Sequence, residues 1–98
     1  MSLQEDERLD AIGHALADPT RRAILAHLAR SGGETTAALA AIAPSISRFA
    51  VMKHLAVLRE AGLLRSMDEG KRRRHYREPA AVQPLRDWLA ALDRPPGS

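Results

Sequence analysis

The chain is 98 residues long and contains no cysteine. This absence excludes disulfide bonds and thiolate metal sites, whatever the cellular compartment. A chain of this length buries only about two-thirds of the surface that its unfolded form exposes, so its core is expected to be modest. We therefore predict one domain spanning residues 1–98, with association between copies as a further source of stability.

Aromatic residues and long apolar segments are also scarce. Phe49, Tyr76 and Trp88 are the only aromatic side chains, whereas proteins that bind single-stranded nucleic acid stack its bases on several aromatic rings. No apolar run approaches the ~20 residues that a membrane span requires, and no signal-peptide segment follows the first residues. These absences predict a cytoplasmic protein with no membrane partner and argue against binding to single strands.

The charged residues are unevenly distributed along the chain. The formal net charge is +3, but residues 1–10 are mainly acidic and residues 65–77 are mainly basic. The basic segment contains Arg65, Lys71, Arg72, Arg73, Arg74 and Arg77. A concentration of cations at one end of a small protein indicates a polyanionic partner. Because aromatic residues are scarce, we predict that this partner is double-stranded DNA.

Apolar residues recur at helical spacing in the first part of the chain. Leu9, Ile12 and Leu16 predict a first helix that ends before Asp18. Three further helices are predicted to begin behind side chains that favour the N-cap position, namely Asp18, Thr35 and Ser47. The fourth helix has a predicted buried stripe and ends at a glycine. These residues are Val51, Leu55, Leu58 and Gly62.

The period of the apolar residues changes after the fourth helix. Residues 63–67 and 72–77 predict two strands joined by a turn at residues 68–71. Helical spacing returns in the last apolar residues, which are Leu85, Trp88, Leu89 and Leu92. The predicted fold class is therefore mainly α with a small β-hairpin, in the order helix, helix, helix, helix, hairpin, helix.

Two short helices followed by a hairpin with a basic turn are typical of a winged helix-turn-helix. The candidate base contacts lie at the start of the fourth helix, outside its buried stripe: Arg48, Phe49, Met52 and Lys53. The candidate phosphate contacts lie in the hairpin, the wing: Lys71, Arg72, Arg73 and Arg74. Because alternate residues of a strand point to opposite faces, about half of these cations are expected to meet phosphate at once. Such alternation can turn Arg73 away and leave Arg72 and Arg74 in contact.

Three segments of the sequence resemble the ArsR/SmtB-type winged-helix repressors: ALADPTRRAILAHL at 15–28, SRFAVMKHLAVLREAGLL at 47–64 and EGKRRRHYR at 69–77. The resemblance implies a homodimeric transcriptional regulator that binds operator DNA with inverted symmetry. It also implies that Ser47 caps the recognition helix, that His54 lies beside the phosphates and that Tyr76 belongs to the wing.

Members of this family usually dimerise through their first and last helices. The resemblance, together with the apolar stripes, places seven residues at such an interface: Leu9, Ile12, Leu16, Leu85, Trp88, Leu89 and Leu92. The last four form a stripe that is more apolar than a terminal helix of such a small core requires, which favours an interface independently.

The ligands used by the family's metal sensors are missing from this sequence. Those members bind metal through cysteines in the third helix or through Asp/His pairs in the last helix, and neither set is present. The four histidines fall on four different elements: His14, His27, His54 and His75. We therefore expect no metal and no cofactor. The sequence leaves open a site formed by two histidines across a dimer, and an effector of another kind.

Other interpretations fit some of the same residues. Met52 is equally suited to packing, His54 to an ordinary helix surface, and Arg21 and Arg22 to phosphate contact or to solvent. Non-specific architectural DNA binding shares the basic wing, and a winged helix that contacts proteins is a further alternative. An enzyme is disfavoured, because the chain has no phosphate-binding loop and no suitable pair of nucleophile and base.

Overall fold

The computed structural model describes residues 3–97, which form five helices and three short strands. In chain order they are α1 (Leu3–Leu16), α2 (Pro19–Ser31), β1 (Glu34–Thr35), α3 (Thr36–Ala41), α4 (Arg48–Glu60), β2 (Leu64–Glu69), β3 (Arg72–Arg77) and α5 (Gln83–Asp93). The predicted mainly α class with a β-hairpin is confirmed, and β1 adds a strand to it. None of the helices among residues 3–97 is long and apolar enough to cross a membrane.

The predicted N-caps begin three of the helices. The hydrogen bonds run from the backbone N–H of Arg21 to Asp18 Oδ2 (3.0 Å), from that of Ala38 to Thr35 Oγ1 (3.2 Å) and from that of Ala50 to Ser47 Oγ (3.0 Å). Each cap satisfies an otherwise unpaired N–H of the first helical turn and contributes about 1 kcal/mol. Gly62 follows α4 with a φ of +76°, as its position in the sequence predicted.

The sheet has three antiparallel strands in the order β1-β3-β2, whereas the sequence predicted only the hairpin. β2 pairs with β3 so that Ser66 faces His75 and Glu69 faces Arg72. β1 pairs Glu34 with His75 on the other side of β3. A strand of two residues is too short to show an alternating pattern, which is why the sequence did not reveal it.

The hydrophobic core draws on α1 to α4 and on the start of β2. Its buried residues are Ile12, Ala15, Ile24, Leu28, Leu39, Val51, Leu55, Leu58, Leu63 and Leu64. The predicted buried stripe of α4 is thereby confirmed. Ile12, which we grouped with the dimer interface, is only 2% exposed and packs inside the protomer. It therefore has almost no surface to offer a partner, and we remove it from the interface.

α5 packs against α1, but it contributes no fully buried residue. Leu85 is half-buried against the core. The rest of its apolar stripe is exposed: Trp88 by 41%, Leu89 by 47% and Leu92 by 62%. The helix is held to the protomer along one edge only, and most of its apolar surface faces solvent.

Candidate DNA-binding surface

The first two turns of α4 carry four side chains that point away from the core. Val51, Leu55 and Leu58 fix the rotation of α4, because their side chains are buried among those of the neighbouring helices. The exposed side chains are those predicted to contact bases: Arg48, Phe49, Met52 and Lys53. Phe49 is 67% exposed and Met52 is 53% exposed. Packing of α4 thus leaves the start of the helix free to enter a groove of DNA.

A groove runs between α4 and the wing, and cations line it. Arg48 and Met52 contribute from α4, and Lys71, Arg72 and Arg73 contribute from the wing. The floor is formed by residues 35–37, at the junction of β1 and α3. The structure therefore brings together the two halves of the predicted DNA-binding surface, with positive charge on both walls.

The wing arginines differ in how they are paired. Arg74 Nε lies 2.9 Å from Glu69 Oε2, and Tyr76 Oη donates to the same oxygen at 3.4 Å. Arg73 Nε lies 3.7 Å from Asp68 Oδ1, whose carboxylate is far more exposed. Lys71 and Arg72 form no ion pair within the described residues. Lys71 and Arg72, the cations nearest the turn, are therefore the most available to bind phosphate.

Strand alternation places Arg73 and Arg74 on opposite faces of β3. Arg73 lies on the same face of β3 as the inward-pointing His75 and lines the groove beside α4. Arg74 lies on the opposite face, held by Glu69. Arg72 and Arg73 line the groove, whereas Arg74 is paired with Glu69, and which of the three contact phosphate stays a prediction. Arg73 and Arg74 are both paired with carboxylates of β2, so ion pairing alone does not decide which arginine faces the groove.

Tyr76 supports the sheet rather than extending toward the groove. Its ring lies under the guanidinium of Arg65, 4.7 Å from the ring centroid. On β1's side, the ring lies so close to Gly33 that a Cβ at that position would come within 2.6 Å of Tyr76 Cε1. Gly33 also has a φ of +140°, so only glycine is suited to this close approach. A DNA contact by Tyr76 stays a prediction.

His54 of the recognition helix is held inside the protomer by the start of α2. Its Nδ1 lies 3.2 Å from Arg21 Nη1 and 3.9 Å from Asp18 Oδ2. Arg21 also donates to the carbonyls of His14 (2.9 Å) and Ala15 (2.7 Å) at the end of α1. The backbone N–H of Arg21 is the main cause that lowers the pKa of Asp18, with His54 contributing less. Arg21 thus has a structural role, and the phosphate contact of His54 stays a prediction.

A buried histidine that we did not single out connects the wing to the helices. His75 is 2% exposed; its Nδ1 lies 2.7 Å from Ser66 Oγ and its Nε2 lies 2.8 Å from Thr36 Oγ1. Arg59 of α4 donates to Ser66 Oγ at 3.1 Å. Since Arg59 only donates, we assign the Ser66 hydroxyl proton to Nδ1 and a proton on Nε2 to the bond with Thr36. The chain of bonds joins α4, β2, β3 and α3.

Burial lowers the pKa of His75, and together with the smaller effect of the nearby guanidinium groups of Arg59 and Arg73 it brings the pKa to about 4. The imidazole is therefore neutral at physiological pH, as the bonding scheme requires. One signal in the sequence pointed to this role: His75 is the inward position of a strand whose other members are arginine and tyrosine.

Comparison with known proteins identifies the family. Residues 16–66 match the profile of a helix-turn-helix domain family. The chain is 42% identical over 88 residues to the HTH-type transcriptional regulator Rv2034 of Mycobacterium tuberculosis, a match that covers 85% of this chain and 80% of the relative. The crystal structure of an ArsR family transcriptional regulator superposes with a TM-score of 0.80 at 35% identity, covering 89% of this chain and 88% of the other. The chain belongs to the ArsR family of winged-helix transcriptional regulators.

A further ArsR-like solution structure has the same fold. It is the homodimeric winged helix-turn-helix DNA-binding domain Mb0332 from Mycobacterium bovis, with a TM-score of 0.70 at 23% identity over 94% of this chain and 86% of that one. The ArsR-family relatives are DNA-binding transcriptional regulators and not enzymes, so the expectation of a non-enzymatic protein is confirmed.

Three of the four histidines of this ArsR-family chain are bonded to protein side chains. His27 Nε2 lies 3.1 Å from Glu34 Oε1, while His54 and His75 are engaged as described above. Within residues 3–97, no three side chains of His, Cys, Asp or Glu are grouped so that they could hold a metal ion.

Proposed function

We propose that this ArsR-family regulator is a repressor that binds an inverted-repeat operator as a homodimer, with α1 and α5 at the dimer interface. The observation that carries the proposal is the apolar stripe of α5, which the protomer leaves largely uncovered. In this proposal residues 1–98 act as one cytoplasmic DNA-binding domain whose terminal helices join two copies.

The composition of the uncovered surface supports a second copy as the partner of α5. Trp88, Leu89 and Leu92 are exposed on α5, and Leu3 is 75% exposed at the start of α1. Exposed large apolar side chains that cluster on one face commonly mark a protein interface. Leu9, Leu16 and Leu85 are half-buried on the same pair of helices and are placed at its margin. The Mycobacterium bovis domain of the same fold is homodimeric, which supports a second copy as the partner.

The geometry of a twofold dimer leads to the proposed operator. An interface formed by identical surfaces relates the two copies of α4 by a twofold axis, so each copy reads the same bases on opposite strands. The cation-lined groove of each protomer then receives the sugar-phosphate backbone beside its half-site. A dimer bound across a promoter in this way blocks access of RNA polymerase, which is the basis of the proposed repression.

Footprinting the promoter region of the protein's own gene tests the proposal directly. We expect a protected inverted repeat, whose affinity exceeds that of a random duplex of equal length by at least about 1,000-fold. The two affinities are then compared at increasing salt, since non-specific binding falls steeply with salt. Transcription in vitro from the same promoter is expected to decrease when the protein is added.

The alternatives give different results in these experiments. Equal affinity for the promoter fragment and the random duplex would indicate architectural binding and contradict the proposal. The absence of binding to either duplex at low salt would favour a protein-binding winged helix. Increased transcription at an occupied site would contradict repression while leaving operator binding intact.

A further inference from the structure

We propose that Phe49 and Met52 recognise the C5-methyl groups of thymine in the major groove of each operator half-site. The inference rests on the proposed operator binding and adds to it the chemistry of the bases that are read. It predicts that each half-site contains thymines at the positions facing the first two turns of α4.

The exposure of Phe49 is the first observation. It is the chain's only phenylalanine, a residue type that is usually buried, yet 67% of it is exposed. The core does not need it, because the buried stripe of α4 is complete without it: Val51 and Leu58 are 0% exposed and Leu55 is 2% exposed. An apolar ring held in water at the start of a recognition helix therefore requires another contact to cover it.

The position of Met52 is the second observation. Phe49 and Met52 stand three residues apart on α4, which makes their side chains neighbours on one face. Met52 is 53% exposed and lines the groove beside the wing. The two side chains form a small apolar patch in the first two turns of α4.

The charges beside this patch favour a polyanion, rather than another protein surface, as its binding partner. Arg48 borders the patch on the wing side, and the Lys53 ammonium lies 4.8 Å from the centroid of the Phe49 ring. Neither cation forms an ion pair within residues 3–97. Two copies meeting through this patch would bring four such cations together without compensation, whereas phosphates neutralise them.

The base edges of the major groove then determine what the patch recognises. These edges present hydrogen-bond donors and acceptors, and the thymine C5-methyl is the one apolar group among them. Side chains such as Phe and Met lose free energy if they displace water from polar edges without replacing its hydrogen bonds. Contact with thymine methyls avoids that loss, and Arg48 beside the patch is suited to a neighbouring guanine.

The test replaces thymine by uracil, which pairs identically but lacks the methyl group. The full chain first selects a binding duplex from a random library, and the most enriched duplex is resynthesised with deoxyuridine at every thymidine. We expect the wild-type protein to bind the uracil duplex about tenfold or more weakly, since burial of each methyl is equivalent to about fourfold in affinity. A random duplex is expected to bind equally well in both forms.

Substitutions assign the effect to the two side chains. The F49A/M52A double variant is expected to bind the thymine and uracil duplexes with equal affinity. Met67→Ala is the matched control, because Met67 is 52% exposed but belongs to β2 rather than to α4. This control is expected to keep the wild-type preference for thymine. Thermal unfolding verifies that all variants are folded.

Each contrary result has a separate meaning. Equal binding of the two duplexes by the wild-type protein would overturn the inference while leaving sequence-specific binding, and hence the proposed function, in place. A thymine preference that persists in the double variant would also overturn it, by assigning the effect to duplex shape. Failure to enrich any duplex would overturn the proposed function itself and this inference with it.

Discussion

α4 and α5 are amphipathic helices of similar length, 13 and 11 residues, and both expose large apolar side chains. On α4 the core-facing stripe is fully buried, and the charged side chains beside the exposed Phe49 and Met52 are cations. On α5 no residue is fully buried, and the exposed row is accompanied by charges of both signs, Arg86, Asp87 and Asp93. The difference shows that exposed apolar surface has no single meaning: its neighbouring charges point to DNA on one helix and to a protein on the other.

The largest expected effect is on dimerisation, which should depend on the exposed aromatic residue of α5 and not on that of α4. Trp88→Ala is expected to weaken dimerisation by about 3 kcal/mol, roughly 100-fold, because a buried Trp is a typical centre of an interface. Phe49→Ala is the matched control, since it removes an exposed aromatic ring from α4 and is expected to leave the dimer intact. Sedimentation measures both. A wild-type protein that stays monomeric at tens of micromolar would contradict the assignment of α5.

Acid is expected to lower the stability of the folded protein through His75, which joins the wing to α4 and α3. The pKa of His75 is lowered from 6.5 to about 4 in the folded protein, so the unfolded chain takes up a proton first as the pH falls. The contribution of the neutral imidazole to the free energy of unfolding is fully present above pH 6.5. It is lost as the pH falls to about 4, and its magnitude is about 2–3 kcal/mol. Urea denaturation between pH 7.5 and 4.5 measures it.

The variant His75→Gln isolates this contribution from the carboxylates that also titrate in acid. We expect the free energy of unfolding of the variant to be lower at pH 7.5 and to decrease less between the two pH values. Identical pH dependence in the two proteins would show that the buried imidazole does not control acid stability.

A smaller effect distinguishes base contact on α4 from phosphate contact on the wing. Arg48→Ala is expected to reduce operator affinity by about 1–3 kcal/mol while changing random-duplex affinity much less. Arg73→Ala, which removes a cation from the facing wall of the same groove, is expected to weaken both duplexes similarly and to reduce the salt slope by about one. Salt titrations of both variants on both duplexes measure the difference. If Arg48→Ala weakened the two duplexes equally, α4 would not be reading sequence.

The smallest effect concerns the pairing within the wing. Glu69→Gln releases Arg74 from an exposed ion pair, and we expect random-duplex affinity to rise by at most about fivefold, the range of surface ion pairs. Glu60→Gln removes the same charge at the end of α4 and is the control for the change in net charge. An equal rise in both variants would show that the release of Arg74 is not the cause.

The helices and their boundaries were predictable because local side chains determine them. Asp18, Thr35 and Ser47 cap the next helix through bonds three residues away, and such contacts are visible in sequence spacing. The exposure of Phe49 followed from its position outside the α4 stripe. Features that arise from one helix alone were therefore within reach of the sequence.

The remaining features depend on contacts between distant segments. The role of His75 requires Ser66 from the paired strand and Thr36 from α3, and no spacing rule links those positions. Ile12 shares a helical stripe with Leu9 and Leu16, and only the packing of α1 on its neighbours shows that it is the buried member. That Arg73 lines the groove together with Arg48 likewise depends on how the hairpin lies against α4.

The short strand β1 has a consequence for the order in which the chain folds. It pairs Glu34 with His75, whereas the β2–β3 hairpin pairs residues as near as Glu69 and Arg72. Closing a long loop costs more conformational entropy than closing a short one, so the hairpin is expected to form early and the β1–β3 pairing late. The stretch of chain closed by that late step contains both α3 and α4. The recognition helix consequently lies within a loop whose ends are joined by backbone hydrogen bonds.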